Sequence, residues 1–400
     1  MLKSSLDPES NRRFMSLRNL LAILLSLCLG LFLADAIVSL ADDSLILFFG
    51  LHLLSLIRIP VGLFAMFIVI VIYFLMGLTP MIPKRLFLPL ALFIFLAQMV
   101  PAPFAIYCYS RIQQVMWGLS FCQVILGLSV LYWAGDGFKL RWPLVADDRL
   151  AVRRFSWRNL STFLLANVFV LLPAVVLYFV VCAALAVDHF SEGFMSLRPA
   201  GLMVQVRKYV RDDGSTIQLY PMSHIADSAF YEKVSQSFPT NSIILMEGVT
   251  DEKNLITNNV DYKRLADFLG LANQHEKFEP RRGRKVRADV DVDQFATNTI
   301  DLLNLVMFIH AKGLTAVTLP KLLQYTAPPD FQNQLIDDLI KKRNQHLLEK
   351  IHTHLSQSEN IIVPWGAAHM PGLAKEIQKS GFHLVETRDY EVIRFRSIGK

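Results

Sequence analysis

Two histidines in the second half of the chain each follow a predicted strand. His224 comes shortly after the predicted strand 215–220, and His369 closes the run Asn-Ile-Ile-Val-Pro-Trp-Gly-Ala-Ala-His. Each histidine precedes a helix-like run and then a second strand, which ends in Glu247 in the first unit. Because α/β proteins gather functional side chains at the ends of neighbouring strands, we expect these three side chains to share one pocket. Two imidazoles and a carboxylate there would be suited to acid–base chemistry.

Strands that would position this pocket are predicted at both ends of the second half of the chain. The strands 203–210 and 215–220 flank Arg-Asp-Asp-Gly at 211–214, which indicates a hairpin because Asp-Gly tolerates positive φ. A second hairpin, 382–387 with 390–396, is predicted near the C-terminal end.

The segment between the two histidine units has helical periodicity. The predicted helices are 262–271, 292–310, 314–324 and 331–356. Asp261 or Asn259 would suit the N-cap of the first helix, and Asp291 or Asp293 that of the second. Strands at both ends with helices between them predict an α+β, or mixed α/β, soluble domain. It has two related strand-His-helix-strand units and a helical insert packed over the sheet.

The first half of the chain has a different composition. Of the 400 residues, 53% are hydrophobic, which is a high share for a soluble protein. Long apolar runs dominate before about residue 186, and the rest is typical of a soluble domain large enough for its own core. All four cysteines lie in or beside the apolar runs, so the soluble part has no disulfide framework or thiolate zinc site.

Five apolar runs are long enough to cross a membrane as helices, which takes about 20 residues. They are residues 20–40, 61–79, 86–107, 115–134 and 160–187. The shorter run 45–57 is interpreted as an interfacial or re-entrant piece, or as an extension of the second span. The sequence therefore predicts a cytoplasmic tail at 1–19, an α-helical membrane domain of about five transmembrane helices at 20–187, and a soluble domain at 190–400.

The distribution of lysine and arginine predicts how these spans are oriented. The tail, the connection at 84–85 and the connection before the last span are basic, whereas the alternate connections are not. With five spans, this bias places the N-terminus in the cytoplasm and the C-terminal domain outside it, at a plasma or inner membrane. Counting 45–57 as a sixth span would reverse the side of the C-terminal domain.

Polar residues within the predicted spans bear on whether the membrane domain transports a solute. His52, Arg58, Gln98, Gln123 and Asn167 lie there, and none of them forms an obvious ion pair in the sequence. Transporters usually carry charged groups within their spans. The sequence therefore favours an anchor or scaffold over a transport pathway.

Four short segments of the C-terminal domain form a recognisable pattern. They are Tyr220-Pro-Met-Ser-His224, Ile243-Ile-Leu-Met-Glu247, Lys342-Arg343-Asn344 and Gly366-Ala-Ala-His369. The pattern resembles the TraB/GumN-like group, which belongs to a superfamily with the TIKI metalloproteases and the ChaN and erythromycin-esterase-like proteins. The resemblance covers about residue 204 to the C-terminus. The first motif departs from the Gly-x-x-His of that group, because Pro221 stands at the glycine position.

The resemblance implies a metal-dependent, hydrolase-like site. His224, Glu247 and His369 would bind Zn²⁺, Mn²⁺ or Co²⁺ with positions left open for water. The ion would lower the pKa of that water and polarise a scissile carbonyl. Arg343 would hold a substrate carboxylate or stabilise an oxyanion. The alternative is a metal-free site in which one histidine is the general base and the glutamate orients it.

Two aspartates are further candidates for the same site. Asp289 and Asp291 would add metal ligands or a substrate clamp, and helix capping explains them as well. The sequence has no His-Glu-x-x-His, Gly-x-Ser-x-Gly or phosphate-loop motif, which argues against zincins, serine hydrolases and nucleotide enzymes. The basic run 281–287 lacks interleaved aromatic residues, so no nucleic-acid partner is predicted. We interpret that run as a flexible loop near anionic headgroups or an acidic partner.

These observations lead to competing functional hypotheses. The first is a membrane-anchored, metal-dependent hydrolase, a peptidase or amidase acting on a peptide or a small amide or ester. The second is a non-catalytic protein on the same fold that binds a signal or peptide, which Pro221 favours. The third makes the membrane domain a transporter regulated by the soluble domain.

Overall fold

The chain divides into two compact units, Met1–Cys182 and Ala183–Lys400. The computed structural model describes residues 8–135, 137, 141–257, 262–313, 315, 318, 320, 322 and 330–395. Residues 1–7 of the predicted tail, the N-cap candidates Asp261 and Asn259, and most of the helix predicted at 314–324 lie outside the described residues.

Helices make up the first unit. They are α1 (Pro8–Phe49), α2 (Ser55–Leu78), α3 (Lys84–Met99), α4 (Pro101–Tyr107), α5 (Ile112–Ala134), α6 (Trp157–Ala166) and α7 (Leu172–Phe190), the last of which continues into the second unit. A π-helical turn, Asn167–Leu171, joins α6 to α7.

Five stretches of the described chain are helical, long and apolar enough to cross a membrane. They are Leu17–Phe49, Ser55–Leu78, Lys84–Tyr107, Tyr109–Ala134 and Trp157–Phe190. Many of their large apolar side chains point outward, including Phe67 and Phe169. Such surfaces are stable against lipid and costly against water. The helix-rich region with five long apolar helices expected from the sequence is confirmed, and these helices indicate an integral membrane protein.

The apolar run 45–57 is not a separate interfacial or re-entrant element. Residues up to Phe49 extend α1, and α2 begins at Ser55. Gly50, with a φ of 68°, is the first residue after the aspartates that readily adopts the left-handed conformation ending a helix. Asp42 and Asp43 therefore lie inside α1, where the sequence analysis had placed a connection.

Arg58 is ion-paired within the first unit, so the expectation of no intramembrane ion pair is wrong. Its Nη1 lies 2.6 Å from Oδ1 of Asp43 and 3.3 Å from Oδ2 of Asp42. Both carboxylates are buried. The pair was missed because the two aspartates had been assigned to a loop outside the spans.

The second unit is built on a mixed sheet. Its strands are β1 (Met195–Arg198), β2 (Gly201–Val210), β3 (Thr216–Met222), β4 (Ile225–Ala226), β5 (Ile243–Met246), β6 (Ala272–Asn273), β7 (Arg284–Arg287), β8 (Asn360–Gly366) and β9 (His383–Arg394). The main sheet has the order β1-β2-β3-β8-β5-β7 with β9 also paired to β2, and β4 pairs with β6. This confirms a mixed α/β region after the membrane helices.

Helices of the second unit follow the strands. They are α8 (Ser228–Ser237), α9 (Tyr262–Leu269), α10 (Gln274–Lys277), α11 (Thr297–Lys312), α12 (Phe331–Ile336), α13 (Arg343–Leu355) and α14 (Met370–Lys379). A π-helical turn, Asp337–Lys342, joins α12 to α13.

Strands β3, β8, β5 and β7 are parallel neighbours in that order. Met222 at the end of β3 lies opposite Gly366 at the end of β8. All four strands consequently end at one side of the sheet, which we call the carboxyl edge. Side chains that follow these strands are brought together there.

Both faces of the sheet are covered. Val363 and Trp365 of β8 share a core cluster with Leu347 of α13 and Leu373 of α14. Ile362, which points to the opposite face, belongs to a second cluster that includes apolar side chains of α8. Continuous apolar segments such as 361–365 of β8 are typical of parallel sheets buried on both sides.

The hairpin predicted at the C-terminal end does not form. Residues 383–394 are one strand that pairs antiparallel with β2, with Arg388 opposite Val206 and Asp389 opposite Gln205. Arg-Asp lacks the glycine or asparagine that a tight reversal favours, and the two register shifts of the ladder lie on either side of this pair. Glu386 therefore lies within this strand, opposite Lys208.

The basic run 281–287 is not a flexible loop throughout. Its last four residues form β7, which pairs with β5 and lies at the end of the described sheet. Lysine and arginine on an edge strand discourage pairing with another chain. That physical role accounts for the charge of Arg284, Lys285 and Arg287.

Gly201, the first residue of β2, lies against the backbone of β9. A Cβ atom at this position would lie 2.1 Å from the carbonyl oxygen of Ile393. Because that atom belongs to the backbone, rotation of a side chain cannot relieve the clash. We expect Gly201→Ala to lower the free energy of unfolding by about 1–3 kcal/mol. Thermal unfolding of the full-length protein would detect this, and an unchanged melting temperature would contradict it.

Candidate functional site

The carboxyl edge carries the residues singled out in the sequence. Glu247 follows β5 directly, and Asp289 comes two residues after β7. His369 ends a short 3₁₀ turn that follows β8, and His224 comes two residues after β3. Arg343, the first residue of α13, follows a π-helical turn, a feature frequent at functional sites.

Arg343 is the centre of a buried polar cluster at this edge. Its Nε and Nη2 donate to Asp289 over 2.9 and 2.6 Å, and Nη2 also donates to Glu247 Oε1 over 2.8 Å. Its Nη1 lies 3.1 Å from His369 Nε2 and 3.4 Å from the carbonyl oxygen of Leu339. All five N–H groups of the guanidinium are thus directed at acceptors of the protein itself.

The charges of Arg343, Asp289 and Glu247 stabilise one another. Burial lowers the pKa of Arg343, but the hydrogen bonds and charges of Asp289 and Glu247 outweigh burial and raise the pKa above its ordinary value. The side chain of Asp289 is fully buried and that of Arg343 is 12% exposed. In a buried ion pair each charge stabilises the other, because removing one leaves the other without a counter-charge and without water.

Glu247 and Asp289 are also held by backbone N–H groups. Gly366 donates to Glu247 Oε2 over 2.7 Å, and Gly248 donates to Asp289 Oδ2 over 3.0 Å. Both carboxylates are therefore fixed from two directions. Asp291 instead accepts from the backbone of Asp293 and caps the short helical turn after it, which is the capping role considered for it.

His369 is a buried, neutral imidazole. Its Nδ1 lies 2.7 Å from the side-chain oxygen of Asn344, whose amide nitrogen donates to the His369 carbonyl. Because an amide oxygen only accepts, Nδ1 carries the proton and the lone pair of Nε2 faces Arg343. Burial, followed by the charge of Arg343, lowers the pKa of His369 to about 4. Asn344, considered in the sequence only as part of a motif, sets this tautomer.

His224 is in a different environment from His369. It is an exposed residue whose ring stacks on Tyr262, with ring centroids 4.7 Å apart, whereas His369 is only 3% exposed. Pro221, the departure in the first motif, is buried within β3 opposite Trp365. The two histidines share a strand-end position but not a chemical setting.

A cavity of about 590 Å³ opens beside the cluster. His224, Glu247, Tyr262 and Arg343 line one part of it, and apolar side chains such as Phe295 line another. The volume is in the range of small-molecule sites, and a few polar groups in an apolar surround are typical of them. The described structure thus places three of the predicted residues, His224, Glu247 and Arg343, at one cavity.

Tyr262 is a further candidate, and no sequence motif predicts it. Burial raises its pKa, and the negative charge of Glu247 raises it further. The phenol is therefore protonated at neutral pH and available as a hydrogen-bond donor. No motif marks this tyrosine in the sequence, since it meets His224 and Glu247 only in the fold.

The side chains of the cluster that could bind a metal ion all face Arg343. Among the described residues, no group of three or more His, Cys, Asp or Glu side chains is arranged to hold a metal ion. Glu247, Asp289 and His369 each point at the guanidinium, so a divalent ion between them would lie against a fixed positive charge. The residues as arranged do not fit a shared metal, and the site of His224, Glu247 and His369 stays a prediction.

Comparison of the chain with known protein families, curated proteins and solved structures found no match. The resemblance to the TraB/GumN-like group therefore remains a prediction. The residues of the site are therefore the basis for a functional proposal.

Proposed function

We propose that the second unit is a hydrolase of peptide, amide or ester bonds, anchored in a membrane by the apolar helices. The observation that carries this proposal is the mixed polar and apolar cavity at the carboxyl edge, lined by His224, Glu247 and Tyr262. An imidazole, a carboxylate and a protonated phenol supply a base, an orienting group and an oxyanion donor, the set that hydrolysis needs.

His224 is assigned the role of general base. Its ring is exposed at the cavity, where it can take a proton from a water molecule and later return it to the leaving group. Tyr262 stacks on that ring and limits its orientation. The phenol of Tyr262 is assigned as a hydrogen-bond donor to the oxyanion that develops on the substrate carbonyl.

Arg343 and His369 are assigned positioning roles. Arg343 holds Glu247 at the cavity, and neutral His369 supplies an acceptor that fixes the guanidinium. The earlier assignment of Arg343 as an anion holder stays a proposal, because a substrate carboxylate would have to replace one of its present partners. Asp289 does not line the cavity and balances the charge of Arg343.

Loss of the base gives the most direct test. We expect His224→Ala to reduce kcat for a responsive substrate by about 100-fold or more, as removal of a general base does. Full-length protein in lipid nanodiscs would be assayed against fluorogenic peptides, anilides and esters. His352→Ala, an exposed histidine of α13, is the matched control and should retain full activity. Equal rates for the two variants would refute the role of His224.

The metal predicted from the sequence resemblance can be measured in the same preparations. Zinc, manganese or cobalt near one equivalent, absent from His369→Ala, would support a metal site that includes this residue. Metal content that does not change in the variant would leave His369 in the positioning role described above.

An extracytoplasmic location for the second unit is part of the proposal. It rests on the basic residues that precede and connect the spans. A periplasmic phosphatase fused to the C-terminus would be active if this orientation is correct. A cytoplasmic reporter that is active at the same position would reverse it.

A second candidate function is peptide or signal binding without turnover. The observation that favours it is the saturation of Arg343, whose donors all go to protein acceptors. A labelled peptide that binds wild-type protein and is released intact would support binding over hydrolysis. Its binding should be lost in Phe295→Ala.

A further inference from the structure

A second cavity lies inside the first unit, among helices α1, α2, α3 and α5. Its volume is about 530 Å³, within the range of small-molecule sites. The polar side chains that line it are Asp35, Ser39, Arg58, Gln98, Ser120 and Gln123. Asp35 lies in the candidate span Leu17–Phe49, roughly 20 Å along the helix from its end at Phe49. Ionisable groups at such depth are costly and usually functional.

Carboxylates outnumber the cation around this cavity. Arg58 lines it and pairs with both Asp42 and Asp43, so a single guanidinium faces two buried carboxylates. Ser55 and Ser120 donate further hydrogen bonds to those two aspartates. Asp35 is a third carboxylate on the same helix, and Arg58 is not its partner among the contacts of the described residues. The local field therefore attracts a positive charge.

Asp35 presents one oxygen to the space between α1 and α2. Its Oδ2 accepts from Gln123 Nε2 over 2.7 Å. Its Oδ1 lies where Gly62 leaves room, since a Cβ atom on Gly62 would be only 3.0 Å from it. The glycine thus keeps this oxygen accessible at the cavity wall.

Ser39 is a second, independent sign of a ligand. It is 5% exposed and lines the cavity one helical turn after Asp35. Ser26 and Ser44 of the same helix satisfy their hydroxyls by donating to the carbonyl four residues earlier. Within the described part of the chain, the Ser39 hydroxyl makes no such bond. Because Ser39 lines the cavity, a bound molecule or water there can supply a partner for its hydroxyl.

We propose that this cavity binds a small organic ammonium ion. The N–H groups of the ammonium ion donate charge-assisted hydrogen bonds to Asp35 Oδ1 and to the Ser39 hydroxyl oxygen. Its positive charge balances the excess of carboxylates. Apolar side chains such as Met66 and Phe93 line the remainder of the cavity and suit the organic part. A bare metal ion would fill only a small fraction of this volume, which is why an organic cation is favoured.

Binding to the full-length protein in lipid nanodiscs tests the proposal. The probes are a series of primary ammonium ions from methylammonium to benzylammonium, with benzyl alcohol as the neutral counterpart of the last. We expect at least one ammonium ion to bind and benzyl alcohol to bind at least about tenfold more weakly, as measured by calorimetry. No binding by any ammonium ion, or equal binding of the alcohol, would overturn the proposal.

A pair of charge variants locates the site. Asp35→Asn should weaken ammonium binding by at least about tenfold, because a hydrogen bond to a charged group is lost. Asp148→Asn removes a carboxylate from the short helical turn Asp147–Arg149, away from the cavity lining, and should bind like wild type. Equal weakening in both variants, or none in Asp35→Asn, would refute the assignment.

If Asp35→Asn does not yield folded protein, ammonium binding to Ser39→Ala tests the position of the ligand. This variant keeps every charge and removes only the hydroxyl that faces the cavity. We expect a several-fold loss of ammonium affinity, in line with one lost hydrogen bond. Unchanged affinity in Ser39→Ala would then overturn the proposed position of the ligand.

Discussion

Arg343→Ala is expected to lower the free energy of unfolding by about 3–5 kcal/mol. The substitution leaves Asp289, whose side chain is fully buried, and Glu247, which is 13% exposed, without their shared cation. It also removes the donor that faces His369 Nε2. The cost comes chiefly from the uncompensated carboxylates and only partly from the lost contacts.

A matched control separates this effect from the loss of any surface charge near α13. Lys341 lies two residues earlier, is 66% exposed, and faces Asp337 at 3.7 Å. Lys341→Ala should change the free energy of unfolding by no more than about 0.5 kcal/mol. Thermal unfolding of both variants in nanodiscs makes the comparison. Similar losses would show that the cluster is not held by Arg343.

Coupling within the cluster can be measured by a double-mutant cycle. Asp289→Asn removes one of the two carboxylate charges, so Arg343→Met in that background should cost less than in wild type. We expect the two losses to fall short of additivity by about 1–3 kcal/mol, as for contacting residues. Strict additivity would contradict the direct pairing of Arg343 with Asp289.

Acidification is expected to destabilise the second unit through His369. The imidazole has a pKa of about 4 when folded and an ordinary value of 6.5 when unfolded. The unfolded chain therefore binds more protons between these values, so the stability supplied by neutral His369 is complete above pH 6.5 and is lost as the pH falls toward 4. The full loss is about 3 kcal/mol.

His369→Gln isolates this contribution, because the amide supplies an acceptor for Arg343 and does not titrate. We expect the melting temperature of this variant to depend less on pH between 6.5 and 4 than that of wild type. His352→Gln, at an exposed position on α13, should keep the wild-type pH dependence. A variant curve parallel to wild type in this interval would show that another group controls acid stability.

Local patterns predicted most of the elements correctly. The apolar runs were long enough to identify membrane helices, and the strands at 203–210 and 360–365 were recognisable from apolar character and turn residues. The errors arose where a local signal was weak. Arg388-Asp389 was assigned to a turn although the ladder with β2 extends straight through both residues. Asp42 and Asp43 were assigned to a loop although no residue there ends a helix.

The sequence by itself determined that strands β3, β5 and β8 form and which polar residues follow them, because apolar character and side-chain alternation are set by near neighbours. Only the tertiary structure decided which of those side chains meet. Arg343 reaches Glu247 across 96 residues and Asp289 across 54, while His224 stacks on Tyr262. Such pairings follow from the order of strands in the sheet and from the shared burial of charges, neither of which is encoded in any one segment.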